Sequence, residues 1–485
     1  MKIYISGALK SFCSRNAEIE IQGNTIREIL KALVDEYPES AKIVFDDEGK
    51  LRTFIRIYAD EEDKTDESRW DDDLSSCSKA LFLPLIAGGA PSKSVVSDER
   101  RKDQVLDDEE IERFNNHLLL REIGVKGQKR LKAARVVVVG AGALGSPAIQ
   151  YLAAAGVGTL KIVDFDEVLL KNLQCQVIHG LRDVRRPKVA SAKDSVRNVN
   201  RKLNVVAENI KLDADNVGAI VEGYDLVVDC SDNYKTRYLL NDVCALRGIP
   251  LVFGAIYQFE GLVTVLNYDG GPCLRCLFPN PPEPGLLPTC SESGSASPLP
   301  GIVGSIQANE ALKLIVGIGE SLVGKILQVD ALNLKFNLLN AAKDDDCPIC
   351  GFEPSISEVE DFDYEEFCGL KPQEDEEPVD GITPEELATR IENGDPLTIV
   401  DVREPHERAI LRFPGAIAIP IGQLARRQNE LSTDRDVVFV CRQGQRSVLA
   451  VNTLREAGYQ GPMFTLLGGI EAMKDLVFTN EGGML

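Results

Sequence analysis

Histidine is nearly absent, with three residues in 485, which leaves little room for chemistry built on imidazole. Long apolar runs are absent too: no stretch approaches the roughly 18 consecutive apolar residues that a membrane span needs, so no membrane crossing is expected. The N-terminus, MKIYISGALKSFCSRNAEIE, has no sustained apolar core behind its lysine. No secretory signal is therefore expected, and the cytoplasm is the expected compartment. Positive charge is in deficit. With 54 Lys and Arg against 76 Asp and Glu the formal net charge is −22, which repels phosphate backbones and anionic lipid and argues against nucleic acid or membrane as partners. No internal repeat of fixed period is evident.

What is present fits a globular chain: 44% apolar and 27% charged residues. At roughly 150 residues per domain, the length predicts three domains. Twelve cysteines in an intracellular chain of this length point to metal binding and thiol chemistry rather than a disulfide framework.

Residues 1–89 open with strand-like KIYIS and continue to a helix whose Ile26, Ile29, Leu30, Leu33, Val34 and Tyr37 share a face, capped by Thr25 and Glu28. TFIRIYADEED and ALFLPLI read as further strands, an order that predicts a β-grasp domain ending at Gly88 and Gly89. Residues 90–110 read as a polar linker. From 111 to 352 the chain alternates apolar strands (RVVVVG, TLKIVDF, YDLVVDC, PLVFGA) with helical stretches, which predicts a largely parallel sheet wrapped by helices. Residues 353–380, acidic and proline-bearing, read as a second linker, and 381–485 as a small α/β unit.

GAGALG, Gly140 to Gly145, follows the strand RVVVV and opens a helix, so Gly140, Gly142 and Gly145 are placed to admit a phosphate at the helix N-terminus. Asp164 ends the next strand, where an acid can hold a ribose hydroxyl. NAD and ATP both satisfy this arrangement. Four thiols in two pairs, Cys273 with Cys276 and Cys347 with Cys350, carry the spacing of a tetrahedral zinc site. CRQGQRS, from Cys441, lies between the strand VVFV and a helix, so loop N–H groups, the helix N-terminus, Arg442 and Arg446 surround the sulfur, a cradle suited to a persulfide. A phosphatase loop has one more residue between cysteine and arginine.

DFDEVLLKNLQCQ (164–176), RRPKVASAK (185–193), DCSDNYKTR (229–237), PCLRC and CPICG together resemble ThiF-type adenylyltransferases, which activate ubiquitin-like sulfur carriers, over about residues 111–351. The resemblance implies ATP rather than NAD, with Lys188 neutralising the nucleotide phosphates and Asp232 holding magnesium. Asp164, Asp166, Asn172 and Gln176 match nucleotide-site positions. Cys290, in the Pro/Gly/Ser-rich PPEPGLLPTCSESGSASPLPG, matches a loop cysteine that links to the carrier or accepts sulfur. The family also implies a homodimer. Two positions depart from its pattern: Asn116 and Cys175 stand where phosphate-contacting arginines are expected, with Arg113, Arg121 or Lys171 as possible substitutes. DVREPHE (401–407), CRQGQRS with Gly444 in its loop, and LGGIEAM (467–473) resemble a single-domain rhodanese, with Met473 at a usually aromatic position, and FIRIYADEED through LPLIAGG resembles a sulfur carrier. The expected activity is ATP-dependent adenylation of a carrier's C-terminal glycine, the carrier being the chain's own N-terminal domain or a separate protein. Delivery of sulfur from Cys441 follows, with a cysteine desulfurase as the kind of donor. The alternatives are a non-adenylating scaffold with a working rhodanese and, last, an NAD dehydrogenase. Cys13, Cys77, Cys230, Cys244 and Cys368 are expected to be structural.

Overall fold

The computed structural model describes residues 2–5, 18–46, 49–51, 55–59, 62–64, 67–75, 77, 79–84, 93–282, 294–369 and 379–473. Gly88, Gly89, Cys13 and Cys290 lie outside them. Three sheets divide the molecule.

The first sheet has the order β2-β1-β5-β3-β4, formed by β1 (Lys2–Ile5), β2 (Glu18–Glu20), β3 (Ile55–Ala59), β4 (Glu62–Asp63) and β5 (Lys79–Pro84). β1 and β5 are parallel and the other pairs antiparallel. The helix Ile26–Glu36 buries Ile26, Ile29, Leu30 and Leu33, as its 3.6-residue period dictates. Its cap differs in detail from the expected box. Thr25 accepts from the Glu28 N–H, whereas the Glu28 carboxylate reaches the Asn24 N–H at 2.8 Å. The charged insert after β4 contributes Trp70 and Leu74 to the same core as Ile57, and Asp71 to a pair with Arg27 at 2.8 Å.

The central sheet has eight strands, β13-β12-β11-β10-β9-β6-β7-β8. These are β6 (Arg135–Val139), β7 (Thr159–Val163), β8 (Asn204–Glu208), β9 (Leu226–Asp229), β10 (Leu251–Tyr257), β11 (Glu260–Leu266), β12 (Lys325–Asp330) and β13 (Lys335–Asn340). The five strands from β8 to β10 are parallel; β6, β7, β9 and the first half of β10 are buried, which is why they read as continuous apolar runs, whereas the edge strand β8 has no buried residue, and β11 to β13 continue antiparallel. Sheet order reverses between β6 and β9, and a crevice opens beyond their carboxyl ends. The helix Gly145–Ala155 and the 19-residue helix Pro298–Val316 pack together on one face of the sheet, in one core with β6 and β7.

The described parts of both segments expected as linkers, 93–110 and 353–369, are seated on this central unit. Val96 joins its core, Ser94 Oγ donates to the Ile315 carbonyl at 2.6 Å, and Arg100 pairs with Asp225. Val359 and Tyr364 are buried in the core on the sheet's other face, with Phe362 and Phe367 packed against it. Charge in a sequence hides such contacts, because a few apolar residues spaced among acids suffice to dock a segment.

The third sheet is wholly parallel, β14-β18-β17-β15-β16, from β14 (Asp380–Ile382), β15 (Leu397–Asp401), β16 (Ile417–Ala418), β17 (Asp436–Val440) and β18 (Met463–Leu466). Apolar clusters cover both faces. Among the described residues no helix is long and apolar enough to cross a membrane.

Candidate functional site

The crevice beyond β6 and β9 is a cavity of about 520 Å³. The glycine loop forms one wall. Gly140 has φ +97°, and a Cβ there would lie 2.5 Å from the Cys230 carbonyl oxygen. Gly145 was expected to bind the nucleotide but does not line the cavity. A Cβ at Gly145 would sit 1.9 Å from the Gly140 oxygen, so its role is to let the loop close upon itself. No side chain caps the helix beginning at Gly145, but Ser146 N–H already donates to the Gly142 carbonyl at 2.9 Å and Pro147 has no N–H, so the helix offers an anion its positive end rather than a row of free first-turn donors.

Gly140, Gly142, Asp164, Asp166, Asn172, Gln176, Lys188 and Asp232 all line the cavity. Asp164 braces the loop, accepting from the Ala141 N–H and the Asp166 N–H, both at 2.8 Å. Burial pushes its carboxyl above the usual range against the opposing charge of Lys188. The Lys188 ammonium, 7% exposed, is held 2.7 Å from Asp166, and Asn172 caps its own turn through Leu169 N–H. Gln176 Oε1, Ser231 Oγ and Arg237 Nε are buried without protein partners among the described residues, as is Oδ2 of the fully buried Asp229 just behind the wall. Such a set of orphaned groups beside a phosphate-type loop suits a polar ligand and its cation. His179 holds the loop from behind, its ring nitrogens 2.8 Å from Ser191 Oγ and 2.9 Å from the Ala141 carbonyl oxygen. Burial lowers its pKa, so a neutral imidazole is favoured.

Of the two departures from the adenylyltransferase pattern, Cys175 lines the cavity and Asn116, exposed on a short helix, does not. Burial raises the Cys175 thiol, with Lys188 opposing. Arg113 donates to the Val199 carbonyl and to Glu109, and neither it nor Arg121 lines the cavity, whereas Lys171 does. Sequence reasoning did not single out the lining residues Ser231, Thr236 and Arg237, and it placed Arg442, from the third unit, only beside Cys441, since nothing local announces a contact made across hundreds of residues.

Cys273, Cys276, Cys347 and Cys350 converge with all four sulfurs within 4.8 Å of one another. The pairs Cys273–Cys347 and Cys276–Cys350 are 3.4 and 3.3 Å apart, close to the ~3.8 Å edge of a tetrahedron drawn at ordinary zinc–sulfur lengths. The set fits a tetrahedral metal. Beside it Arg275 is sealed against Asp242 at 2.7 Å, with Tyr364 Oη donating to the same carboxylate at 2.8 Å and Phe362 and Phe367 against the guanidinium.

Cys441 follows β17, fully buried, its sulfur accepting from the Gly444 N–H at 3.1 Å. The two arginines of the loop do not point their charge at the sulfur as expected. Arg446 is bonded to both oxygens of Glu407 at 2.8 and 2.7 Å, and Arg442 Nε to Glu471 at 2.9 Å. Their partners lie 39 and 29 residues away in sequence, and both pairs tie the loop to its surroundings. Met473 is fully buried against the β-sheet core.

The ThiF family matches residues 114–349 and the rhodanese-like domain residues 383–476. The chain is 42% identical over 372 residues to the probable adenylyltransferase/sulfurtransferase MoeZ of Mycobacterium tuberculosis, covering 75% of this chain and 93% of that protein. It is 51% identical over 265 residues to the SAMP-activating enzyme E1 of Haloferax volcanii, 55% of this chain and 97% of that protein. It is 40% identical over 384 residues to the adenylyltransferase and sulfurtransferase MOCS3 of Aedes aegypti, 76% of this chain and 87% of that protein. With its glycine-walled cavity, four-cysteine cluster and thiol-bearing loop in this order along one polypeptide, the chain belongs to the ThiF family, in the form joined to a rhodanese-like domain.

Proposed function

We propose that the chain is an adenylyltransferase and sulfurtransferase that activates the C-terminal glycine of a ubiquitin-like sulfur carrier and converts it to a thiocarboxylate in the cytoplasm. The observation that carries this reading is the union of the glycine-walled cavity and the Cys441 loop in one chain whose relatives of similar length are named for both activities. A carboxylate oxygen of the carrier attacks the α-phosphorus of ATP, the bond to the β-phosphate oxygen breaks, and pyrophosphate leaves. Lys188 and the positive end of the helix beginning at Gly145 offset the charge that builds there. Asp232, which lines the cavity with the buried Asp229 behind it, would hold a magnesium ion, and the ion would supply further charge neutralisation. The outer sulfur of a Cys441 persulfide attacks the acyl carbon and AMP departs, leaving an acyl disulfide to Cys441; a second thiol, Cys290 or an external one, attacks the Cys441 sulfur, which releases the thiocarboxylate and leaves a disulfide that an external thiol reductant reopens. The sulfane sulfur comes from a donor of the cysteine desulfurase type.

The four clustered cysteines would hold zinc, which fixes residues 273–276 to 347–350 and has no part in the chemistry. Residues 1–89 are read as a β-grasp carrier, 90–110 and 353–380 as connections, 111–352 and 381–485 as the two catalytic domains, acting in a homodimer. A scaffold without adenylation is the second reading, favoured by Asn116 and Cys175. Pyrophosphate–ATP exchange separates the two: exchange that requires a carrier ending in glycine–glycine supports activation, and its absence with a competent carrier leaves the scaffold.

A further inference from the structure

Cys441 is fully buried between the end of β17 and the helix Gln445–Glu456. Among the described residues its sulfur has two hydrogen-bond partners: Gly444 N–H donates to it at 3.1 Å, and the thiol donates to Ser447 Oγ at 3.8 Å. Ser447 is itself wholly buried and carries two further bonds. Its hydroxyl donates to the Gly444 carbonyl at 2.6 Å and meets Oγ1 of Thr465, a β18 residue that is 4% exposed. Counting hydrogens fixes the directions. A serine hydroxyl has one hydrogen and two lone pairs. With the hydrogen given to Gly444, Thr465 is the donor to Ser447, and the cysteine thiol fills the second lone pair. The set is complete only while the sulfur carries a proton.

Sulfur transfer needs the thiolate, which has no proton to give and needs donors instead. At a sulfur sealed from solvent, protein groups have to supply them. We propose that Ser447 is a catalytic hydroxyl of the sulfur-transfer site, turning its hydrogen from the Gly444 carbonyl to the Cys441 sulfur when the thiol ionises, with Thr465 as the positioning residue that keeps it aimed. The proposal rests on the sulfurtransferase reading above and adds two residues to it. Each group stays satisfied after the turn. Thr465 goes on donating to Ser447 Oγ, and the Gly444 carbonyl keeps the Val448 N–H at 3.3 Å. The ionised sulfur then holds two donors, Gly444 N–H and the Ser447 hydroxyl. With thiosulfate as the sulfur source, the Cys441 sulfur attacks its outer sulfur and the S–S bond of thiosulfate breaks, its electron pair going to the departing sulfite. The thiol proton ends on that sulfite, and Cys441 is left as an anionic persulfide, which needs donors as the thiolate did.

The test uses the full chain with thiosulfate and cyanide, reading kcat/KM for thiosulfate across pH. Ser447→Ala is expected to lower it about tenfold on the acid side of the profile, the worth of one hydrogen bond to a charged group, by moving the pH midpoint up about one unit. Most of the loss is then recovered in alkali, where the thiolate forms without help. Thr465→Val keeps the shape of the side chain and is expected to move the midpoint in the same direction by less, with Thr465→Ser restoring the parental profile. The charged groups around the loop are common to all these variants, Arg446 with Glu407, Arg442 with Glu471, and Arg403 with Asp401 at the end of the neighbouring strand β15, so a shifted midpoint reports the hydroxyls. A Ser447→Ala protein of parental melting temperature with the parental rate and midpoint overturns the proposal. A loss equal at every pH does so too, since it would reduce Ser447 to packing. An unshifted Thr465→Val beside a shifted Ser447→Ala removes Thr465 from the pair. If Ser447→Ala does not fold, Thr465→Val decides, and an unshifted midpoint overturns the proposal. A parental chain that transfers no sulfur to cyanide at any pH sinks the sulfurtransferase reading itself, an outcome distinct from all of these.

Discussion

The sulfur of Cys441 is reached by a backbone N–H and sealed from solvent, with the loop's arginines turned to Glu407 and Glu471. Catalysis by this thiol therefore depends on main-chain geometry more than on side-chain charge. Cys441→Ala is expected to abolish transfer of sulfane sulfur from thiosulfate to cyanide; transfer persisting at the parental rate would assign the sulfur to another thiol, with Cys290 first in line. His179 carries a different expectation. It is buried neutral with both ring nitrogens bonded, so its folded pKa lies below the unfolded value of about 6.5. A depressed pKa contributes stability that is present above about pH 6.5 and lost as pH falls through the folded value. The melting temperature of the parent should thus exceed that of His179→Asn by a margin that shrinks between about pH 7 and pH 5. A margin that stays constant would show that the proton plays no part. Legible in the sequence at this scale were residues placed by local spacing, Gly140, Gly142, Asp164 and the paired cysteines, while Asp232 was placed at the cavity by the family resemblance alone. Arg442 and the carboxylate partners of the loop arginines were not, because tertiary packing alone brings them together.

Among the elements, the turn between β6 and its helix was foreseeable, since strand, glycine loop and helix follow one another directly, but the single helical turn Leu274–Leu277 that carries Arg275 and Cys276 was not. The acidic segment after the second cysteine pair was not. Its charge predicts a solvated connection, yet Tyr364, Phe362 and Phe367 enclose the Arg275–Asp242 pair. Removing Arg275 leaves the Asp242 carboxylate buried and uncompensated, a loss of about 3–5 kcal/mol. Arg275→Ala should therefore lower the denaturant midpoint of the central unit sharply, and an unchanged midpoint would count against the enclosure. Because the same turn carries Cys273 and Cys276, metal and clasp should act together. Protein purified without chelator is expected to hold one zinc per chain, and stripping the metal should lower the melting temperature and expose residues 356–369 to protease. Metal analysis returning no zinc would remove the assignment.

For the molecule as a whole, the two α/β units that match the ThiF and rhodanese-like families were legible from alternating patterns, and the doubly covered parallel sheet from its valine-rich strands. What could not be read was how firmly the connections are seated, since Val96 and Tyr364 look unremarkable among the charges around them. The first unit poses its own chemical problem. If residues 1–89 are the carrier proposed above, Gly89, followed by Ala90, offers an amide where adenylation needs a carboxylate, and an amide oxygen is a poor nucleophile toward ATP. Cleavage after Gly89 is expected, releasing a carrier of residues 1–89 whose end is free to enter the cavity. Intact mass of the protein from its native cell checks this, with Gly89→Pro as the uncut control. Material that is full length throughout, together with failure of residues 90–485 to adenylate a synthetic carrier ending at Gly89, would exclude both release and self-activation.

The enclosure of Arg275 also sets a leash. With the chain fastened at Tyr364 and Phe367, only ten peptide links separate Gly369 from Val379 at the entry to the third sheet, a span of at most about 35 Å fully extended. A domain tied that closely has an effective concentration at the nucleotide cavity on the millimolar scale. Sulfur delivery then becomes a first-order event whose rate is indifferent to protein dilution, and lengthening the leash, with no contact altered, would slow it.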